Sequence, residues 1–167
     1  MKRAGRYGIL TFITVGLLSL QQQQPVEVLI LNDDFSGKES AGNYIIEKSN
    51  KDTNAVQFRE GQMVLDSEGG LTVWYREKLK GDIRISFDRM VVMEGGPHDR
   101  LSDLNQFWMA NDPGDKLFKR TGGFREYDSL LMYYVGMGGN YNKTTRMRRY
   151  DGRGTLEIVG EFTDSAH

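Results

Sequence analysis

The stretch SLLMYYVGMGGNYNKTTRMRRYDG, Ser129 to Gly152, decides the fold. Two runs, Ser129 to Met137 and Thr144 to Tyr150, flank a Gly138-Gly139-Asn140 turn. The periodicity is two, not 3.6. That is the period of a strand, not of a helix. Tyr133 and Tyr134 therefore fall on opposite faces. Arg146, Arg148 and Tyr150 share one face, with Met147 and Arg149 on the other.

Working outward, the same period recurs. Val26 to Leu31 reads as a first strand, ended by Asn32-Asp33-Asp34. Val56 to Arg59 and Gln62 to Asp66 flank Glu60-Gly61 as a hairpin. Leu71 to Leu79 follows a Gly69-Gly70 turn and sets Leu71, Val73 and Tyr75 against Thr72, Trp74 and Arg76. Asp82 to Met93 has the clearest alternation, with Ile83, Ile85 and Phe87 against Arg84, Ser86 and Asp88. Leu104 to Ala110 and Thr155 to Phe162 complete the set. Ser36 to Asn43 and Pro113 to Arg120 hold at most one helical turn each.

Such short strands between Gly-rich turns predict an all-β fold, an antiparallel β-sandwich or jelly roll spanning residues 26–167. Its sheets would bury one face and leave the other for chemistry. Ser165-Ala166-His167 follows the last strand with no closing hairpin. The expectation is a jelly roll truncated at its C-terminus, with one sheet edge unpaired.

Composition narrows the function classes. A formal charge of -1 selects neither nucleic acid nor an anionic membrane as partner. The absence of cysteine excludes disulfides, thiolate metal sites and a Cys nucleophile. Lys2, Arg3 and Arg6 precede the apolar run Gly8 to Leu20. That run is too short to span a bilayer and suits a signal peptide over residues 1–20. The protein is therefore expected to be secreted or periplasmic, with no membrane span once the signal is removed.

GGPHDRLSDLNQFWMANDPGD, Gly95 to Asp115, is dense in hydrogen-bonding side chains. Gln106 and Trp108 share one face of the Leu104 to Ala110 strand. Asn105, Phe107 and Met109 share the other, and Phe107 and Met109 suit the core. An indole covers the apolar face of a pyranose while amides meet its hydroxyls; a Trp packed in the interior is the equal alternative. From Lys143 to Arg153 there are five basic residues and one acid. Arg binds carboxylates with a planar fork. Asn105, Gln106, Trp108, Arg146, Arg148 and Tyr150 are thus candidate contacts to an acidic, uronate-containing polysaccharide. A solvated, charged strand edge explains the same arginines as well.

Cleavage of a uronate by β-elimination needs a group to neutralise the carboxylate, a base and an acid. His98, Arg100, Tyr133 and Tyr134 are the candidate catalytic residues, with His98 or a Tyr as base. Hydrolysis needs two spaced carboxylates, and Glu126 with Asp128 is the one pair offered, read here as a solvated strand entry. A non-catalytic carbohydrate-binding module and a structural sandwich remain alternatives. No cofactor is expected. Asp33-Asp34, or Asp112 with Asp115, supply oxygen ligands suited to a structural calcium, though turn formation is their commoner role.

LNDDFSG (31–37), GGLTVWYREKLKGDIRISFD (69–88), GGPHDRLSDLNQFWMANDP (95–113) and GGFREYDSLLMYYVGMGGNYNKTTRMRRYDG (122–152) together resemble a domain-of-unknown-function family of secreted bacterial proteins. The resemblance implies a concanavalin-A-like jelly roll, the fold of lectins, laminarinases and several polysaccharide lyases, and a glycan as ligand or substrate. It carries over no catalytic residue.

Overall fold

The computed structural model describes residues 27–36, 38–49, 54–101 and 104–163. The segment expected to be a signal peptide, residues 1–20, and Ser165 to His167 lie outside the described residues. The chain divides into two compact units, Met1–Asn32 and Asp33–His167. In the first, residues 27–32 have no regular structure, and Val28, Leu29 and Ile30 are exposed. The strand expected over Val26 to Leu31 is therefore not formed there.

The second unit is built from antiparallel strands, with few helical turns. A short helix, α1 (Lys38–Gly42), precedes β1 (Tyr44–Lys48). Then come β2 (Val56–Arg59), β3 (Gln62–Leu65), β4 (Leu71–Tyr75) and β5 (Leu104–Asn111). A 3₁₀ turn (Phe124–Tyr127) leads to β6 (Leu131–Gly138), β7 (Thr144–Asp151) and β8 (Leu156–Thr163). Strands β1 and β4 pair, β2 and β3 form a hairpin, and β5-β6-β7-β8 form a four-stranded sheet.

One core cluster ties the β1–β4 pair to the large sheet. Trp74, Tyr127, Leu130, Met132, Tyr134 and Tyr150 are buried together. The Trp74 ring meets Phe107 of β5 edge-on, with centroids 4.7 Å apart, the geometry that aromatic quadrupoles favour. Glu47, 3 % exposed, sits inside this cluster. Its carboxylate accepts the Trp74 indole N–H at 2.7 Å, the Tyr127 hydroxyl at 2.8 Å and the Arg120 backbone N–H at 2.6 Å. A buried charge is tolerated when its lone pairs are filled in this way. Arg120 in turn donates to Asp112 at 2.6 Å, with both side chains nearly inaccessible.

Three local expectations need correction. Asp82 to Met93 forms no ladder, and Ile85, Met90 and Met93 are exposed. Alternation marks the two faces of a segment, but only a partner makes it a strand, and none pairs with it among the described residues. Met109, expected in the core, is 74 % exposed. It takes φ 55° in the irregularity between Trp108 and Asn111, which turns its side chain out. Glu126 and Asp128 lie in and just after the 3₁₀ turn rather than on a strand.

Candidate functional site

Residues directly opposite in a ladder share a face, so register sorts the candidate residues. On one face stand three rows: Asn105–Gly136–Arg146–Glu161, Phe107–Tyr134–Arg148–Ile158 and Met132–Tyr150–Leu156. On the other stand Trp108–Tyr133–Arg149–Glu157 and Gln106–Val135–Met147–Gly160. The sheet therefore gathers Asn105, Tyr134, Arg146, Arg148 and Tyr150. It sets Gln106, Trp108 and Tyr133 on the reverse side.

The first face holds polar atoms that the fold leaves unmatched. Asn105 Oδ1, Arg146 Nε and Arg148 Nε are buried and find no hydrogen-bond partner among the described residues, on the face whose Met132, Tyr134 and Tyr150 belong to the core and where the Tyr150 hydroxyl lies against the Arg148 side chain. Asp128 Oδ1 is in the same condition. Buried polar atoms are rarely left so, and a cluster of them asks for a functional account. Arg146 donates through Nη2 to Glu161 at 3.2 Å, which leaves its Nε available. Gly136 gives the face its depth. A β-carbon there would stand 3.1 Å from the Tyr134 hydroxyl and 3.2 Å from Asn105 Oδ1.

Tyr150 is packed 5.6 Å from the Tyr134 ring and is 2 % exposed. Burial pushes its pKa up, and the nearby Arg148 guanidinium only partly opposes this. The neighbouring-Arg effect that would make a tyrosine a base is thus outweighed here. Tyr150 holds its proton.

A cleft of about 450 Å³ is lined by Glu68, Gly70, Pro97, His98, Arg100 and Phe124 among others, and by none of Asn105, Arg146, Arg148 and Tyr150. His98 and Arg100 thus meet in one cleft. Phe124 connects it to the sheet, its ring lying edge-on to Tyr134 at 6.0 Å. His98 Nδ1 lies 2.6 Å from Asp66 Oδ1. Sequence reasoning missed Asp66. It ends a predicted strand 32 positions from His98, and no spacing rule links the two.

On the reverse face Trp108 and Tyr133 stack at 6.1 Å with rings 21° apart. Arg149 is paired with Glu157. Gln106 and Met137 line a shallow cleft of about 550 Å³ whose far wall is Ile85 to Arg89.

The acids named for calcium are occupied locally. Asp33 accepts from Phe35 N–H, Ser40 Oγ and Asn43 Nδ2. Asp112 accepts from Gly114 N–H, Lys116 N–H and Arg120. Among the described residues, no three of His, Cys, Asp and Glu gather as a metal site, and no helix is long and apolar enough to cross a membrane.

The sequence matches the family model for a domain of unknown function, DUF6250, over residues 65–167, well over half of the chain. The chain belongs to the DUF6250 family. No curated protein and no solved structure matches it. The DUF6250 span begins at the end of β3 and takes in Asp66, the His98 cleft and the whole four-stranded sheet. The β1 strand and the β2–β3 turn precede it.

Proposed function

We propose that this DUF6250 protein is an exported, concanavalin-A-like jelly roll that binds a uronate-containing polysaccharide and cleaves it by β-elimination. One observation carries the reading: two buried arginine Nε–H groups and an amide oxygen on one sheet face have no hydrogen-bond partner among the described residues. Two guanidinium groups suit a carboxylate better than any neutral ligand. Asn105 Oδ1 accepts a sugar hydroxyl. Glu161 and Asp128 temper the positive charge, which favours a ligand of modest charge density such as one carboxylate per sugar over a phosphate chain.

In the proposed reaction Arg146 and Arg148 hold the uronate carboxylate and stabilise negative charge as the proton at C5 leaves. His98 takes that proton. The C–H electron pair becomes the C4–C5 double bond and the C4–O bond breaks. The departing oxygen takes a proton from water, since the Tyr150 hydroxyl is buried in the core. Arg100, in the cleft with His98, extends the positive wall toward the next sugar.

The jelly-roll reading draws on the reverse face. Leu104, Val135, Met137 and Met147 form an apolar band there, beside Gln106 and the Arg149–Glu157 pair, and Ile85 and Phe87 flank its shallow cleft. An apolar band on a sheet face is what the second sheet of a sandwich covers.

The test is incubation of the protein with a panel of acidic and neutral glycans. Elimination from an acidic member raises the absorbance of unsaturated uronate. New reducing ends without that absorbance would replace elimination by hydrolysis. Saturable heat in calorimetry without either product would make the protein a binding module, and no heat with any acidic glycan would end the reading.

A further inference from the structure

We propose that Asp66 is the positioning residue for His98, holding the imidazole with its proton on Nδ1 so that proton abstraction falls to Nε2. This rests on the lyase reading for its chemical consequence but not for its geometry. Asp66 Oδ1 stands 2.6 Å from His98 Nδ1, a charge-assisted hydrogen-bond length.

Each partner is fixed by its own backbone. The Asp66 N–H donates to the Ala55 carbonyl at 2.9 Å, and Ala55 is fully buried. That contact anchors Asp66 just past the end of β3. On the other side, the Asp99 carboxylate accepts the N–H groups of Gly95 and Gly96 at 2.8 and 3.1 Å. The Asp99 N–H returns to Gly96 O at 3.3 Å. His98 therefore rides on a closed turn. Two independently braced segments meet through one carboxylate–imidazole contact, which is how a base is held in one tautomer and one orientation.

Stability does not explain the pair. The side chains are 35 % and 56 % exposed, and ion pairs that wet contribute little to folding. Its location does explain it: His98 lines the cleft with Arg100 and Glu68. Arg100 and Glu68 line the same cleft, the Asp99 carboxylate is engaged by the amides of Gly95 and Gly96, and Asp66 is the carboxylate seen at hydrogen-bond distance from the ring among the described residues.

The experiment uses the full chain with ¹⁵N-labelled histidine. His98→Gln assigns the His98 signals apart from those of His167. The wild type is expected to show the Nδ1–H form of neutral His98. In Asp66→Ala and Asp66→Asn that form is expected to give way to Nε2–H, with the melting temperature little changed. In the elimination assay the same variants are expected to lose about 10²-fold in kcat with KM nearly constant, and Asp66→Glu to recover part of it. An unchanged tautomer in both variants overturns the inference, whatever the assay shows. Failure of the wild type to form unsaturated product overturns the lyase reading instead, and leaves the tautomer to decide the role of Asp66.

Discussion

A β-carbon on Gly70 would stand 2.2 Å from the carbonyl oxygen of Gly122, so the entry to β4 and the loop before the 3₁₀ turn touch main chain to main chain. The contact is reciprocal. A β-carbon on Gly122, which takes φ +84°, would lie 2.5 Å from Gly70 O and 2.6 Å from Glu47 O. Gly70 also lines the His98 cleft. Gly70→Ala is expected to push these segments apart and cost about 1–3 kcal/mol, the usual price of overpacking. Gly69→Ala meets nothing within 4 Å and is expected to be near neutral. Urea unfolding of the two variants checks this; equal midpoints would refute the close approach.

The Glu47 carboxylate fills three donors from three segments. Glu47→Leu would leave the Trp74 N–H, the Tyr127 hydroxyl and the Arg120 N–H without an acceptor. The expected loss is about 3–5 kcal/mol, since each orphaned buried donor carries its own desolvation cost. Glu47→Gln keeps one acceptor oxygen but turns an NH₂ toward donors, and about 2 kcal/mol is expected. Chemical denaturation with near-ultraviolet dichroism of Trp74 reads both; a leucine variant as stable as the wild type would show the knot to be dispensable.

The same carboxylate explains why β1 was not legible. Tyr44-Ile45-Ile46-Glu47-Lys48 puts a charge at a buried position and two isoleucines side by side. Alternation cannot signal a strand whose inward residue is an acid satisfied from 27 and 80 positions away. The β6 and β7 strands were legible because their own residues alternate. Parity within a strand, such as Tyr133 against Tyr134, can be read from the chain; register between strands cannot. It is the Trp108↔Tyr133 and Phe107↔Tyr134 pairing that sends Trp108 away from Arg148. Asp82 to Met93 makes the converse point. Its pattern is a strand's, but a ladder needs a partner that the pattern does not name.

Two depressed or raised groups set expected pH limits on stability. Burial opposes ionisation of Asp112, yet Arg120 and the amides of Gly114 and Lys116 outweigh it and hold its pKa below 3.8. Its contribution is therefore present above about pH 4 and lost as pH falls through the lower folded value. Asp112→Asn is expected to cost about 2 kcal/mol at pH 7, with the gap to wild type narrowing as the pH falls below the ordinary carboxylate range. At the other end, burial and the charge of Asp33 push Tyr44 up to about 12 from 10.0. Its contribution holds below pH 10 and is lost as pH rises toward 12. Tyr44→Phe is expected to flatten that alkaline limb. Urea midpoints taken across pH would contradict both assignments if the variant and wild-type curves ran parallel.

The division of candidate residues between two sheet faces gives the sharpest test of the proposed site. Arg148 Nε has no hydrogen-bond partner among the described residues, so its removal is expected to cost the fold less than about 1 kcal/mol, the typical loss for a point substitution. Binding should respond differently. Arg148→Ala removes a charge-assisted contact, and affinity for an acidic glycan is expected to fall by about 1.5–3 kcal/mol, roughly tenfold or more. Arg148→Lys keeps the charge without the planar fork and should recover only part of it. Trp108→Ala acts on the other face, where the ring stacks on Tyr133. It is expected to cost about 3 kcal/mol of stability as a large aromatic is truncated, while glycan affinity of the folded fraction stays within twofold. Calorimetric titration paired with thermal unfolding separates the two effects. The reverse outcome, with Trp108 governing affinity and Arg148 governing only the fold, would move the binding surface to the Trp108 face.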